Sequence, residues 1–404
     1  MEEKIIQREL YSELVENSLG KGQIVVLTGQ RRVGKSYLLK SIKIDKESDT
    51  RNNVIYIDKE KREFDFISTY RELNDYIARQ HNPSKHNFIL IDEVQDIESF
   101  EKSVRSWRTE PNTDVIITGS NAHILSGDLT TLIGGRYRRI YILPLSYLDF
   151  LQFHNLTDGD DALATYLNFG GLPGLIRFGL NDSGVRQYQL DVYNTALLKD
   201  VIMRNDIRNA VFLENLSKFI ADNIGKPISA NSISKYMKSQ GEKVTPTAVG
   251  NYLKYLSDAY VMHYVNRFDI HGKLLLETNG KFYFEDHGIR NALVGGSRQG
   301  DIEKLIENVI YLHLLRLGYT VNVGHLMAGE VDFVCTHPEN DNRIYIQASY
   351  LIASEETYKR EFGTLHRIND NYPKYVISMT PLVTKNDDNG ITHLSLRHFL
   401  TKGL

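Results

Sequence analysis

The stretch GQRRVGKS, residues 29–36, decides how the first part of this 404-residue chain folds. It matches the pattern G-x-x-x-x-G-K-[ST] in full, follows the apolar run 24–27 and precedes a helix-like stretch at 37–42. This context predicts a strand, a phosphate-binding loop and a helix in succession. The loop glycines allow backbone angles that other residues resist, so that N–H groups of the loop face an anion.

The loop predicts ATP and Mg²⁺ as cofactors. Lys35 has the amine that reaches the β- and γ-phosphates in such loops, and Ser36 has the hydroxyl that ligates Mg²⁺. A chance glycine-rich turn is the alternative reading. The residues expected to contact the nucleotide are Gly29, Gln30, Arg31, Arg32, Val33, Gly34, Lys35, Ser36 and Tyr37.

A second motif, FILIDEVQD at residues 88–96, supplies the acidic groups that hydrolysis needs. Its four apolar residues predict a strand buried in a parallel sheet. Asp92 ends that strand, where we expect it to hold the Mg²⁺ shell, and Glu93 follows as the base that polarises the attacking water. The alternative is that these two carboxylates only form a solvated turn.

Apolar runs alternate with helical patterns over the first 150 residues. This alternation predicts an α/β fold with a five-stranded parallel sheet covered by helices on both faces. Functional groups are then expected at the carboxyl ends of the strands. The five predicted strands are Ile24–Leu27, Val54–Ile57, Phe88–Ile91, Val115–Thr118 and Arg139–Leu143.

Two further positions are candidate catalytic residues. Asn121 or Ser120, in TGSNA after the fourth strand, is placed to position the water or to sense the γ-phosphate; Ser120 is equally well explained as a helix N-cap. Arg136 precedes the fifth strand and is a candidate arginine finger for a neighbouring subunit, which would imply a homo-oligomer. Arg138 and Arg139 compete for that role, and a plain surface arginine is the alternative.

Composition excludes several classes of protein. The net charge of −3 is nearly neutral, so the overall electrostatic field of the chain does not indicate a nucleic-acid partner. A single cysteine, Cys335, forbids an intramolecular disulfide and suits a reducing compartment. The polar N-terminus is unlike a signal peptide, and no apolar run approaches the roughly 18 residues of a membrane span. We therefore expect a cytoplasmic protein with no membrane partner.

With these motifs, residues 22–150 resemble the core of an AAA+-type ATPase. The resemblance extends to the prokaryotic predicted ATPases that join this core to a conserved C-terminal domain of unknown function. It implies that Pro173 contacts the adenine, although a turn between helices explains this proline equally well. The segments that carry the resemblance are LTGQRRVGKS, ILIDEVQ, ITGSNA, the GGR segment, PLSYLDFL (144–151) and FGGLPGLI (169–176).

The remaining chain is expected to form three parts. Residues 151–209 predict a helical lid and linker, and residues 210–300 a winged helix-turn-helix domain with 261–268 as a wing strand. A local positive charge, opposed only by Glu242, suggests that this domain binds DNA, whereas a rigid spacer or protein contact is the alternative. The charge comes from Lys235, Lys238, Lys243 and Lys254.

Residues 301–404 resemble the restriction-endonuclease-like PD-(D/E)XK fold. That resemblance assigns Glu307 and Asp332 to the first two acidic positions of a Mg²⁺ site, with Gln347 in place of the second strand acid. Ser349 stands where the lysine is expected, and only Lys359 on the next helix offers a substitute. Without that lysine, no obvious residue stabilises the negative charge that develops during cleavage, so a degenerate nuclease site is expected.

Together, these patterns predict an ATP-hydrolysing protein whose ATP- or ADP-bound state controls how its C-terminal domains engage nucleic acid. Two alternatives stay open. One is a nucleotide-gated signalling switch with a protein partner, and the other is an ATP-regulated nuclease.

Overall fold

The structure is a computed structural model, and it describes residues 6–122, 135–180, 182–207, 209–296, 299–327, 329–339, 341–381 and 386–404. Contacts divide the chain into two compact units. The first unit is Met1–Ile142 with Asp258–Tyr260, and the second is Leu143–Ser257 with Val261–Leu404. The finer division at residues 150, 209 and 300 stays a prediction.

A five-stranded, fully parallel sheet forms the centre of the first unit, in the order β2-β3-β4-β1-β5. Every residue of β1 and β4 is buried, as expected for strands covered on both faces. The predicted α/β class is therefore confirmed. The strands are β1 (Ile24–Thr28), β2 (Asn52–Asp58), β3 (His86–Asp92), β4 (Thr113–Gly119) and β5 (Tyr137–Tyr141).

Helices cover both faces of this sheet and form two separate apolar cores. Leu38, Leu39 and Ile42 of one helix pack on one face, and helices that include Leu73 and Val104 pack on the other. The helices of the first unit are α1 (Glu9–Glu16), α2 (Lys35–Glu47), α3 (Tyr70–Gln80) and α4 (Phe100–Trp107). Helix α2 starts directly after the phosphate-binding loop, so its N-terminus lies at the carboxyl end of β1.

The helices of the second unit include three in the segment predicted to be a helix-turn-helix. Ser229 accepts a hydrogen bond from the backbone N–H of Ser232 and caps the second of these, as its position before an apolar pattern suggests. The helices are α5 (Tyr147–His154), α6 (Asp160–Phe169), α7 (Asp182–Ala196), α8 (Ala210–Asp222), α9 (Ala230–Ser239), α10 (Pro246–Asp258), α11 (His287–Leu293), α12 (Ile302–Arg316), α13 (Glu355–His366) and α14 (Leu396–Lys402). Within the described ranges, none of the chain's helices is long and apolar enough to cross a membrane.

An eight-stranded mixed sheet organises the second unit, in the order β12-β13-β11-β10-β9-β8-β6-β7. Its strands are β6 (Met262–Asp269), β7 (Leu274–Phe284), β8 (Thr320–Leu326), β9 (Gly329–Thr336), β10 (Arg343–Ser349), β11 (Lys374–Ser378), β12 (Asn386–Asp388) and β13 (Ile391–Ser395). The strand predicted as a wing, β6, pairs with β7 and also runs parallel to β8 through residues 267–269. The hairpin β6–β7 therefore extends the C-terminal sheet, because its edge forms long-range hydrogen bonds that a local pattern does not reveal.

Candidate functional site

The phosphate-binding loop takes a path that only glycine accommodates at two positions. Gly29 has a φ of +148° and Gly34 a φ of +100°. A Cβ atom on Gly29 would lie 2.3 Å from the carbonyl oxygen of Ile142, so any side chain there would displace backbone. The loop is thus closely packed against the segment that follows β5.

Lys35 is the first residue of α2, and its side chain turns back into the loop. It is 4% exposed, and its Nζ donates to the carbonyl oxygens of Gly29 and Gln30 at 2.9 Å each. The loop backbone therefore holds the ammonium at the start of α2, where the helix N-terminus also favours an anion.

Asp92 ends β3 and is fully buried. It accepts a hydrogen bond from Thr118 Oγ1 on β4 at 2.5 Å and another from the hydroxyl of Ser36. Burial raises the pKa of Asp92 to about 6; the hydrogen bonds from Thr118 and Ser36 oppose this rise, and the charges of Glu93 and Asp58 add to it. Asp58 ends β2 and lies opposite Asp92 in the strand register, a neighbour that the sequence motifs did not indicate.

The geometry around Asp92 fits a bound Mg²⁺. The second carboxylate oxygen, Oδ2, is buried and has no hydrogen-bond partner among the described residues. A buried oxygen of this kind is costly unless it is paired or ligates a cation. The hydroxyl of Ser36 contacts the same carboxylate, so the two predicted metal ligands are brought together.

Glu93 leaves the strand in a left-handed backbone conformation, with a φ of +51°. Its N–H donates to Thr118 Oγ1 at 2.9 Å, and its Oε2 accepts from Ser120 Oγ at 3.3 Å and from the amide of Gln95. Thr118 thereby links both acidic residues, a connection that sequence reasoning missed. Strained backbone of this kind at a non-glycine residue is frequent at functional sites.

The other catalytic candidates of the first unit are Asn121 or Ser120, directly after β4, and Arg136, directly before β5. Asn121 is fully buried after β4, whereas the reading of Ser120 as a helix N-cap concerns residues from 123 on, which lie outside the described residues. The Arg136 side chain is exposed, while its carbonyl oxygen accepts from Ile24 N–H at 3.1 Å. Its competitor Arg139 instead donates to the Thr28 hydroxyl at 3.0 Å, which ties it to the end of β1.

Pro173 belongs to the second unit and begins a short 3₁₀ helix, Pro173–Arg177. The glycines before it are held by Asp286, whose Oδ2 accepts from Gly171 N–H at 2.7 Å. A Cβ atom on Gly170 would lie 2.6 Å from Asp286 Oδ1. The FGGLP segment therefore has a packing role in its own unit, and the adenine contact of Pro173 stays a prediction.

The three residues assigned to a degenerate nuclease site do come together in the second unit. Glu307 lies on α12, Asp332 on β9 and Gln347 on β10. The N–H of Asp332 donates to Gln347 Oε1 at 3.4 Å, and Asp332 Oδ2 accepts from Ala348 N–H at 3.0 Å. They form one wall of a cleft that we call the acidic cleft.

A lysine from β7 lies at the centre of this cleft. Lys281 Nζ is 2.7 Å from Glu307, 2.8 Å from Glu330 and 3.0 Å from Asp332, and its side chain is 2% exposed. Burial alone would lower the pKa of Lys281, but the three carboxylates outweigh it and hold the pKa well above its usual value. Sequence reasoning missed Lys281, because nothing in the strand pattern marks it as functional.

Burial also acts on the acids of the cleft. It raises the pKa of Glu307 to about 7; Lys281 opposes that rise and Asp332 adds to it. The hydroxyl of Tyr283, two residues after Lys281 on β7, also donates to Glu307 Oε1. Glu307 therefore has two donors from one strand.

The open part of the cleft has a volume of about 470 Å³. Lys359, the predicted substitute for the missing lysine, lines it but pairs with Glu355 at 2.6 Å and is 72% exposed. Across the described ranges, no group of three or more His, Cys, Asp or Glu side chains could hold a metal ion in the structure as it stands, and this includes the acids around Lys281. The remaining lining residues are Glu303, Glu307, Gly329, Glu330, Asp332, Gln347, Ala348, Arg360, Glu361, Thr364 and Arg367.

Known proteins resemble this chain in sequence and in fold. An AAA domain model matches residues 21–151, and a model of a domain of unknown function (DUF8612) matches residues 160–300. An uncharacterized protein of Haemophilus influenzae is 31% identical over 386 residues, which cover 94% of each chain. An uncharacterized protein of Methanocaldococcus jannaschii is 29% identical over 401 residues, 95% of this chain and 86% of that protein.

Among solved structures, a Walker-type ATPase of Pyrococcus abyssi has the same fold, with a TM-score of 0.50 and 18% identity. The match covers 72% of this chain and 96% of the other. The first unit thus has the fold of a P-loop ATPase, and its residues 21–142 fall within the match to the AAA domain model. The chain belongs to the same family as the Haemophilus influenzae protein.

Proposed function

We propose that this protein binds ATP with Mg²⁺ and hydrolyses it at the carboxyl ends of β1 and β3. The observation that carries the proposal is the contact of Ser36 with Asp92, beside a buried Asp92 oxygen that has no partner in the described chain. This arrangement suits a divalent cation, and Lys35 supplies the ammonium for the phosphates only one residue before Ser36.

Each residue of the site has a role in this proposal. Lys35 leaves the carbonyl oxygens of its own loop and binds the β- and γ-phosphates, while the N–H groups of the loop, residues 29–36, bind their oxygens. Ser36 and Asp92 hold Mg²⁺, which when bound neutralises charge between the two phosphates. Thr118 keeps Asp92 in place through its 2.5 Å hydrogen bond.

Glu93 acts as the general base in this scheme. Its carboxylate accepts a proton from the attacking water, and its contact with Ser120 Oγ orients it. Asn121 assists by contacting the water or the γ-phosphate. Arg136, exposed on the first unit, stabilises the transferred phosphoryl group of a second copy, which makes the active form an oligomer.

Two variants test this assignment by steady-state phosphate release and by titration with a fluorescent ATP analogue. Lys35→Ala is expected to lose both binding and turnover, because the main cation of the loop is gone. Glu93→Gln is expected to bind ATP normally and to hydrolyse it at least about 100-fold more slowly, as for the loss of a general base. Normal turnover in either variant would show that hydrolysis does not occur at this site.

We further propose that the nucleotide state controls binding of DNA through α9, α10 and the loop between them. Lys235, Lys238, Lys243 and Lys254 are all exposed there, whereas Glu242 is partly buried. Such a set favours phosphate contacts, whose contribution falls as salt concentration rises. The experiment compares ATP turnover with and without duplex and single-stranded DNA, using Lys35→Ala as the blank.

DNA should stimulate turnover, and Lys235→Ala combined with Lys238→Ala should reduce that stimulation and the salt dependence of binding. The control is Lys40→Ala combined with Lys43→Ala, which removes the same charge from the first unit. Turnover that is indifferent to DNA would overturn this part of the proposal. It would favour the nucleotide-gated switch that acts on a protein partner.

A further inference from the structure

The acidic cleft of the second unit already contains a cation, the ammonium group of Lys281. We propose that Lys281 takes the position of a divalent metal ion between Glu307, Glu330 and Asp332, so that the cleft is a latent metal site closed by the protein itself. Removing this one ammonium would open the cleft to a divalent cation. This inference is independent of ATP hydrolysis, which occurs in the other unit.

The contacts of Lys281 are those expected of a resident cation. Its Nζ lies within 3.0 Å of an oxygen from each of the three carboxylates, from α12 and β9. Carboxylate oxygens are the ligands that Mg²⁺, Ca²⁺ and Mn²⁺ prefer, and here they point at the ammonium. A metal ion between the same oxygens would meet a positive charge at contact distance, which strongly opposes its entry.

The ammonium group of Lys281 does not exchange readily with a metal ion from solvent. The Lys281 side chain is 2% exposed, and its backbone pairs with Val265 of β6. The negative charges of the three carboxylates attract the ammonium and hold the pKa of Lys281 high, so its departure would leave these carboxylates to repel one another. The lysine is therefore built into the cleft, on a strand that the sheet holds in register.

Other hydrogen-bond donors contact the same carboxylates. Tyr283 donates to the Glu307 oxygen that Lys281 also contacts, and Ala348 N–H donates to the second oxygen of Asp332. A Cβ atom on Gly225 would lie 2.8 Å from Glu307 Oε2, so that oxygen faces backbone. At the position of Gln347 the cleft has a neutral amide in place of a fourth charge. These contacts explain why the cleft needs no metal ion to be stable.

The test is a Mn²⁺ titration followed by electron paramagnetic resonance, without nucleotide, in an Asp92→Asn background that removes the metal ligand of the first unit. With Lys281 in place, the cleft is expected to bind no Mn²⁺. Any Mn²⁺ that this chain binds elsewhere should be unaffected by Asp332→Asn. Lys281→Met should bind one Mn²⁺ at least about tenfold more tightly than any Mn²⁺ site of the Asp92→Asn chain that keeps Lys281, because one opposing charge is gone. Adding Asp332→Asn to Lys281→Met should abolish this site.

The control is Lys374→Met, which removes another largely buried lysine of the same unit, one that donates to the Asp370 carbonyl oxygen at 2.7 Å. It should gain no Mn²⁺ site. If Lys281→Met does not fold, Lys281→Met combined with Glu330→Gln leaves only Glu307 and Asp332 charged and should fold and bind. The proposal is overturned if the chain with Lys281 binds Mn²⁺ in an Asp332-dependent manner, or if neither folded Lys281 variant gains a site.

Discussion

Thr118 is the residue on which the geometry of both acidic groups in the first unit depends. Its hydroxyl donates to Asp92 Oδ1 at 2.5 Å and accepts from Glu93 N–H at 2.9 Å, and it is fully buried. Thr118→Val keeps the shape and the β-branch and removes only the hydroxyl. Thr118→Ser keeps the hydroxyl and serves as the matched control.

The cost of Thr118→Val follows from the two partners it leaves behind. A backbone N–H of Glu93 and a carboxylate oxygen of Asp92 would remain buried without this partner. Each such loss costs about 1–3 kcal/mol, so the first unit should lose about 2–6 kcal/mol of its free energy of unfolding. Thr118→Ser should cost about 1 kcal/mol, for one lost methyl group.

The same change should alter the dependence on pH. Burial raises the pKa of Asp92 to about 6 from a usual 3.8, and the hydrogen bond from Thr118 opposes that rise. Because the folded chain binds the proton more tightly than the unfolded chain, Asp92 makes the unit less stable as pH rises from 3.8 to about 6. In Thr118→Val the pKa should be higher still, so this loss extends to higher pH.

Two assays measure these effects separately. Trp107, the single tryptophan, packs on a core of the first unit, so its fluorescence during urea unfolding reports on that unit. The pH profile of kcat/KM reports ionisation of the free protein. The value of kcat/KM should rise as pH increases through about 6. The midpoint of this pH profile should move to higher pH in Thr118→Val but not in Thr118→Ser. Unchanged unfolding and an unchanged midpoint in Thr118→Val would refute the reasoning.

Three further predictions concern packing. Gly29→Ala should abolish binding of the fluorescent ATP analogue, since its Cβ would lie 2.3 Å from the Ile142 carbonyl oxygen; Gly20→Ala, whose Cβ meets no atom within 4 Å, should retain it. Cys335 is fully buried, and burial raises the pKa of its thiol, so a thiol reagent should modify it only as urea unfolds the second unit. Asp286→Ala should lower the urea midpoint of that thiol reaction, because two backbone N–H groups lose a buried acceptor and the free energy of unfolding falls by about 2–6 kcal/mol. A midpoint equal to that of the unmodified chain would contradict this prediction.

Local sequence patterns were sufficient to predict the parallel sheet of the first unit, whose strands alternate with helices along the chain. All five predicted strands of the parallel sheet are present, because buried parallel strands need continuous apolar runs such as Phe88–Ile91. The fifth strand begins and ends two residues earlier than predicted, at Tyr137–Tyr141. In the second unit, the helix at 302–316 and the strands at 329–336 and 343–349 hold Glu307, Asp332 and Gln347 in turn. The meeting of Glu307, Asp332 and Gln347 followed from a resemblance in the order of these elements, and the structure brings them together.

The sequence by itself determined the phosphate-binding loop, the two acidic residues at the end of β3 and the parallel sheet that positions them. Each of these depends on residues near one another in the chain. Only the tertiary structure decided that Thr118 joins the two acids, that β6 and β7 extend the C-terminal sheet, and that Lys281 fills the acidic cleft. Lys281 is 26 residues from Glu307 and 51 from Asp332, so their contact depends on strand pairing across the unit, which no local pattern encodes.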